Sequence, residues 1–307
     1  MSSANFSVTI LGASSAKPTL ERFHSSQVVN LCEQLYLMDC GEGVQRQMMR
    51  YGFSFQKINA IFISHLHGDH CYGLFPLLST MSLYGRKTPI DIFAPAPMGE
   101  IIDSHISLYG LNMPYTVKWH KVDTTKHQMI FENRTMEVWS VPLRHRVPTS
   151  GYIFREKPVG LNIEKYCIEK YNLSIAQITA AKRGEDVTLT SGEVIPNQEL
   201  TYTPHEPRSY AYLSDTSYSA KAAALSRGVD LLYHDATYVD SARKDARARG
   251  HSTTVEAANC AVAAEAKGLV IGHFSARYRN LQPLLDEAKA VFPNTRLAVE
   301  GTTFNIE

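Results

Sequence analysis

The chain has 307 residues, 44% of them hydrophobic and 20% charged, with a formal net charge of +1. That length holds one large domain or two small ones, and the near-neutral balance excludes attraction of a polyanion by overall charge, leaving that task to local patches. Five scattered cysteines (Cys32, Cys40, Cys71, Cys167, Cys260) predict reduced thiols in place of a disulfide framework. No apolar run reaches membrane-span length, and the first five residues lack the basic and apolar regions of a signal peptide, so the expected location is cytoplasmic, with no membrane partner.

In chain order, residues 6–11 alternate into an apolar run that ends at Gly12 and predict a strand, followed by a small-residue loop to Pro18. Strands at 27–31 and 35–38 form a predicted hairpin. The turn from Asp39 to Gly43 then leads into a helix over 44–51. Asp39 either holds a neighbouring loop or stabilises the tight turn, and both readings stay open.

The stretch that organises the chain comes next. An apolar, β-branched run over 60–63 predicts a buried strand, and His65, His67, Asp69 and His70 follow within six positions. That spacing is too dense for a helical ligand pair. A loop tightened by Gly68 can turn alternate side chains inward, so that His65 and His67 face one metal ion while Asp69 and His70 face a neighbour. Nitrogen and carboxylate donors without thiolates favour zinc, with manganese or iron as alternatives. Cys71 is read as a small apolar core residue ahead of a ligand role. The bland alternative, a surface turn that happens to carry histidines, does not explain four potential ligands behind a strand.

Leu74, Leu77, Leu78, Met81 and Tyr84 have the spacing of a helix packed on a sheet. Further elements are expected at 90–94, 98–109, 115–122, 128–131 and 134–143. From about 155 to 208 the pattern weakens into an inserted arm, with a helical candidate over 163–171 and a hairpin candidate over 186–195. Order resumes at 209–213, with helices predicted at 217–226, 238–249, 255–267 and 278–291 and strands at 229–233, 269–271 and 296–299. Early hairpins followed by strand–helix alternation predict an α+β chain with sheets in the middle and helices outside. His145, Asp215 and His273 each follow a predicted strand, where a sheet presents side chains to one edge.

This pattern resembles the metallo-β-lactamase superfamily, whose His-x-His-x-Asp-His signature stands here as His65 to His70. Within it the chain is similar, over nearly its whole length, to the ribonuclease Z family of tRNA 3′-processing endonucleases. The narrowing segments are Ser214-Asp215-Thr216, His234-Asp235-Ala236-Thr237, His251-Ser252-Thr253 and His273-Phe274-Ser275-Ala276-Arg277-Tyr278. The resemblance implies an αβ/βα four-layer sandwich over 1–307, with two central mixed sheets, outer helices and the arm inserted at about 155–208.

It also implies two zinc ions per subunit, with manganese or iron as substitutes. His65, His67, His145 and Asp215 would hold one ion and Asp69, His70, Asp215 and His273 the other. Asp69 would double as proton acceptor. His251, oriented by Asp235, would protonate or stabilise the departing oxygen, although a helix-capping neighbourhood also explains it. Arg277 and Arg22 would meet substrate, an exposed salt bridge being the plain reading of Arg277. The basic run Arg243, Lys244, Arg247 and Arg249 reads equally as a solvated face or an RNA contact.

The implied activity removes 3′ trailers from precursor tRNA and leaves a 3′-hydroxyl on the tRNA. The implied assembly is a homodimer whose arms grip tRNA. Three departures stand out. The family's Pro-x-Lys-x-Arg-Asn loop appears as Pro18-Thr19-Leu20-Glu21-Arg22-Phe23, the arm lacks the usual Gly-Pro element, and Asp235 replaces a common Glu. They keep open a related dizinc phosphodiesterase acting on small diesters or other nucleic acids. A non-catalytic scaffold predicts a broken ligand set, and the set is intact.

Overall fold

The computed structural model describes residues 5–109 and 113–307. All but Asn5 of the stretch read for a signal peptide lies outside them. Strand β1 (Phe6–Gly12) is followed by β2 (Ser26–Leu31) and β3 (Gln34–Met38), a hairpin closed by Cys32 and Glu33, both at positive φ. Two left-handed residues in a two-residue loop match the twist of the flanking strands. Helix α1 (Val44–Arg50) leads to β4 (Ile58–Phe62), the single turn α2 (Gly68–Cys71) and α3 (Leu74–Leu83). Strand β5 (Ile90–Ala94), helix α4 (Pro97–Leu108) and β6 (Val117–Lys121) complete this half apart from one strand supplied by the C-terminus. The hairpin β7 (Met129–Glu132) and β8 (Met136–Pro142) begins the second half, followed by β9 (Ser150–Glu156).

The described chain divides into two compact units, and Glu156–Pro207 is one of them. It carries β10 (Asn162–Ile163), α5 (Lys165–Lys170), α6 (Ile175–Lys182), the hairpin β11 (Val187–Thr188) and β12 (Val194–Ile195), α7 (Asn197–Leu200) and β13 (Thr201–Tyr202). Its own small core joins Ile163, Cys167, Leu173, Ala181, Val187, Ile195 and Leu200. Helix α6 was not anticipated as an element; Ser174 and Gln177 start it with a capping box.

The other unit resumes with β14 (Ser209–Leu213), α8 (Ala220–Leu225), β15 (Leu231–Asp235), α9 (Arg243–Arg249), α10 (Thr254–Ala263), β16 (Gly268–Gly272), α11 (Gln282–Val291), β17 (Thr295–Leu297) and β18 (Thr303–Asn305). Two seven-stranded sheets result, in the orders β18-β1-β2-β3-β4-β5-β6 and β17-β16-β15-β14-β9-β8-β7. Both are mixed: β3 to β6 run parallel beside antiparallel neighbours, and β14 to β17 run parallel with β9 antiparallel to β14.

Period-two alternation along β4 shows how the layers form. Ala60 and Phe62 point into the core between the sheets, where the Phe62 ring lies 5.6 Å from Tyr152 and 5.3 Å from Phe154. Ile61 and Ile63 point the other way, into a cluster with Val44, Met48, Leu74 and Leu78 from the helices on that face. Ala222, Ala258 and Leu284 bring α8, α10 and α11 to the second sheet. Helix, sheet, sheet and helix layers make the α+β sandwich expected from the sequence.

Boundaries moved where local geometry decided. Helix α11 starts at Gln282, four residues later than expected, because Pro283 occupies its first turn and the Asn280 side chain accepts from Gln282 N. Helix α10 ends at Ala263 because Glu265 adopts φ 50° and reverses the chain toward β16. Tyr84 caps the end of α3 and is 58% exposed, so it leaves the apolar stripe. Strands β9 and β18 were not anticipated. No helix among the described residues is long and apolar enough to cross a membrane, and none of the five cysteines forms a disulfide.

Candidate metal centre

Loops at the ends of β3, β4, β8, β14, β15 and β16 converge on one place, and the backbone is bent sharply to make this happen. Asp39, Asp215 and His273, each just beyond a strand, have φ of 55°, 54° and 59°. Left-handed backbone is costly for residues with a Cβ, of order 1–3 kcal/mol each, and persists where the surroundings over-determine it. Here it turns three buried side chains inward from the ends of extended segments.

Two groups of donor atoms result. Those of His65, His67, His145 and Asp215 lie within 4.8 Å of one another, and so do those of Asp69, His70 and His273. Asp215 stands between the groups. Its Oδ1 lies 3.8 Å from His65 Nε2 and 3.7 Å from His145 Nε2, while its Oδ2 lies 3.0 Å from His70 Nε2 and 3.2 Å from His273 Nε2.

Most of the rings are fixed from behind. His70 Nδ1 donates to Asp39 Oδ2 at 2.6 Å and His145 Nδ1 to the Gly250 carbonyl at 2.9 Å. Ser64 Oγ lies 3.0 Å from His65 Nδ1, and Thr237 Oγ1 lies 2.9 Å from His273 Nδ1. The Ser64 hydroxyl gives its proton to Asp39 and the Thr237 hydroxyl gives its own to Asp235, so each accepts from its histidine. These partners assign the proton to Nδ1 and leave an Nε2 lone pair aimed at the cluster. His67 turns Nδ1 inward, 2.9 Å from His65 Nε2.

Burial lowers the pKa of His65, His67 and His145 and favours their neutral, ligating form. Burial alone would raise Asp215, but His273, His70 and His65 outweigh it and hold the carboxyl well below the usual range. Inward-facing nitrogens of five imidazoles and two carboxylates, with Cys71 packed among apolar side chains, fit divalent cations of zinc type.

His251 lies beside this cluster, its ring centroid 5.1 Å from His145 and 5.2 Å from His273. Its Nδ1 donates to Asp235 Oδ2 at 2.8 Å, so the shorter side chain at 235 reaches it. Asp235 also accepts from Thr216 N, Thr237 N and Thr237 Oγ1. Burial opposes a charge on His251, yet Asp235 overcomes that and pushes its pKa up to about 9. The cluster opens into a cleft of 990 Å³, with Lys17, Tyr72, Arg146, Arg249 and Arg277 on its walls.

A ribonuclease Z of Parabacteroides distasonis is 41% identical over 303 residues, covering 99% of this chain and all of that one. A ribonuclease Z of Porphyromonas gingivalis is 43% identical over 297 residues, covering 97% and 98%. The chain belongs to the ribonuclease Z family.

The solved structure of human tRNase Z, short form, matches this ribonuclease Z family member with a TM-score of 0.72 at 26% identity, over 98% of this chain and 99% of that one. The metallo-β-lactamase fold protein YhfI of Bacillus subtilis shares the fold, with a TM-score of 0.67 at 18% identity over 98% and 99%. A family model described as anti-Pycsar protein Apyc1 also matches, over residues 6–168.

The two arginines picked out as substrate contacts sit differently. Arg277 is 43% exposed at the cleft, stacked 4.9 Å from the Tyr238 ring centroid and 3.5 Å from Asp245. Arg22 instead donates to the carbonyls of Tyr278 at 2.9 Å and Ser275 at 3.3 Å, which ties its loop to the one that carries Arg277. Arg249 lines the cleft, whereas Arg243 pairs with Asp240 at 2.6 Å and Arg247 approaches Glu256 at 4.0 Å.

Residues the sequence did not single out include Ser64, Tyr212 and Gly250. Tyr212 donates to Asp39 Oδ2 at 2.7 Å across 173 residues of chain, a contact with no local signal. Asp39 collects four donors from Ser64, His70 and Tyr212, so holding the neighbouring loop describes it better than stabilising a turn.

Proposed function

We propose that this chain is a cytoplasmic, dizinc endoribonuclease that removes 3′ trailers from precursor tRNA and leaves a 3′-hydroxyl on the tRNA. The observation that carries the reading is the convergence of seven donors into two groups joined by Asp215, in a chain over 40% identical along its whole length to ribonucleases Z. His65, His67, His145 and Asp215 would hold one ion, and Asp69, His70, Asp215 and His273 the other. Bound there, such cations lower the pKa of a water and offset charge developing on a phosphodiester.

The chain's own residues account for the rest. Asp69, buried beside His70 and His273, is assigned as proton acceptor as well as ligand. His251, charged at neutral pH and aimed by Asp235, gives a proton to the departing 3′ oxygen of the tRNA. Arg277 meets a substrate phosphate, and Arg22 contributes by fixing the loop that carries Arg277. The unit Glu156–Pro207 is assigned as a tRNA-gripping arm, in a homodimer where one subunit's arm serves its partner's site.

The test is cleavage-site mapping on one defined 3′-extended precursor tRNA, with metal content measured on the same sample. A single cut at the tRNA 3′ end is expected, with about two zinc ions per chain. No cleavage by the metal-replete protein, or a greater efficiency on a small chromogenic diester than on the precursor, defeats the reading.

A further inference from the structure

One side chain at the cleft has an exposure that packing does not explain. Tyr72 follows the donor turn by two residues and is 67% exposed, while its neighbours Cys71 and Leu74 are 5% and 0% exposed and belong to the core. Its ring is nevertheless held in place. A Cβ on Gly68 would lie only 2.5 to 2.9 Å from Cε2, Cδ2 and Cζ of Tyr72, so the ring rests against the Gly68 backbone, and Tyr72 N donates to the Gly68 carbonyl at 3.0 Å. A flat ring backed by main chain on one side and open on the other, in the wall of a cleft that also carries Arg146, Arg249 and Arg277, combines the two features that bind single-stranded nucleic acid: a stacking surface and cations for phosphates.

The side of the scissile phosphate follows from the turn that carries the ring. On the reading above, His251 serves the departing tRNA oxygen, so the tRNA end lies against His251. Tyr72 caps the one-turn helix that carries Asp69, the residue assigned to the attacking water, which in an in-line displacement stands opposite the departing 3′ oxygen and leaves the trailer to extend to the side. We propose that Tyr72 is the platform on which the base of the first trailer nucleotide stacks, an inference that rests on the ribonuclease reading. Stacking is indifferent to base identity because every base has a π face, so this residue supports cleavage of trailers of any sequence.

The experiment compares the wild-type protein, Tyr72→Phe and Tyr72→Leu on a precursor tRNA with a normal first trailer nucleotide and on one abasic at that position. Tyr72→Phe should cleave the normal precursor like wild type. Tyr72→Leu should raise KM roughly tenfold, within the range measured for loss of one base–aromatic stack. On the abasic precursor, Tyr72→Leu and wild type should coincide, because the partner is already gone. Equal penalties on both precursors overturn the proposal, as does a penalty that vanishes only when the last tRNA nucleotide is abasic. A wild-type protein that leaves the normal precursor intact removes the ribonuclease reading and this inference together, whereas the other adverse results remove this one alone.

Discussion

At the residue scale, Asp39 shows how much of this centre depends on a group that touches no candidate cation. It is fully buried, has left-handed backbone and accepts from Ser64 N, Ser64 Oγ, Tyr212 Oη and His70 Nδ1. Asp39→Asn replaces one acceptor oxygen by a donor and frees His70 to rotate. Zinc affinity, measured by chelator competition, should fall about 10- to 100-fold, with activity following occupancy. His251 supplies a second case. Its folded pKa of about 9 exceeds the ordinary histidine value of 6.5, so the stabilisation from its bond to Asp235 is complete below 6.5 and is lost as pH rises through 9. Activity that needs the proton should decline on the same alkaline side. In Asp235→Asn that decline should move to lower pH in a kcat profile, and an unmoved alkaline limb would assign it to another group.

At the scale of elements, the donor turn is laced to the loop after β3. Cys40 N donates to the His70 carbonyl at 2.7 Å, and Gly73 N donates to the Cys40 carbonyl at 2.8 Å. This close approach leaves no room at Gly73, where a Cβ would stand 2.0 Å from the Gly41 carbonyl oxygen, a backbone atom that cannot swing aside. Gly73→Ala should cost about 2 kcal/mol or more in a urea melt and lower zinc affinity as Asp69 and His70 shift, an overpacking effect. Strand β9 teaches a related lesson. A Cβ at Gly151 would lie 2.7 Å from the Tyr212 carbonyl, so this strand needs a glycine to pack beside β14.

At the scale of the whole molecule, Arg155 and Ser209 pair directly in the second sheet, so the chain leaves and re-enters that unit at neighbouring positions. Replacing residues 156–207 by a short turn should therefore leave a cooperatively folding protein that still binds zinc and cleaves a small chromogenic diester. Its KM for precursor tRNA should rise steeply if the excised unit is the gripping arm. A truncated protein with an unchanged KM for the precursor would reassign that unit.

The sequence alone determined what local chemistry encodes. The dense donor run after an apolar strand, the period-two alternation of β4, the two-residue hairpin after β2 and the amphipathic stripe of α3 all arise from residues within a few positions of one another. Only the tertiary structure decided how the seven donors meet, which nitrogen of each ring faces inward, and that Arg22 grips a loop. Those outcomes depend on contacts across tens to hundreds of residues and on left-handed turns at Asp39, Asp215 and His273, which a linear pattern of apolar and polar residues does not record.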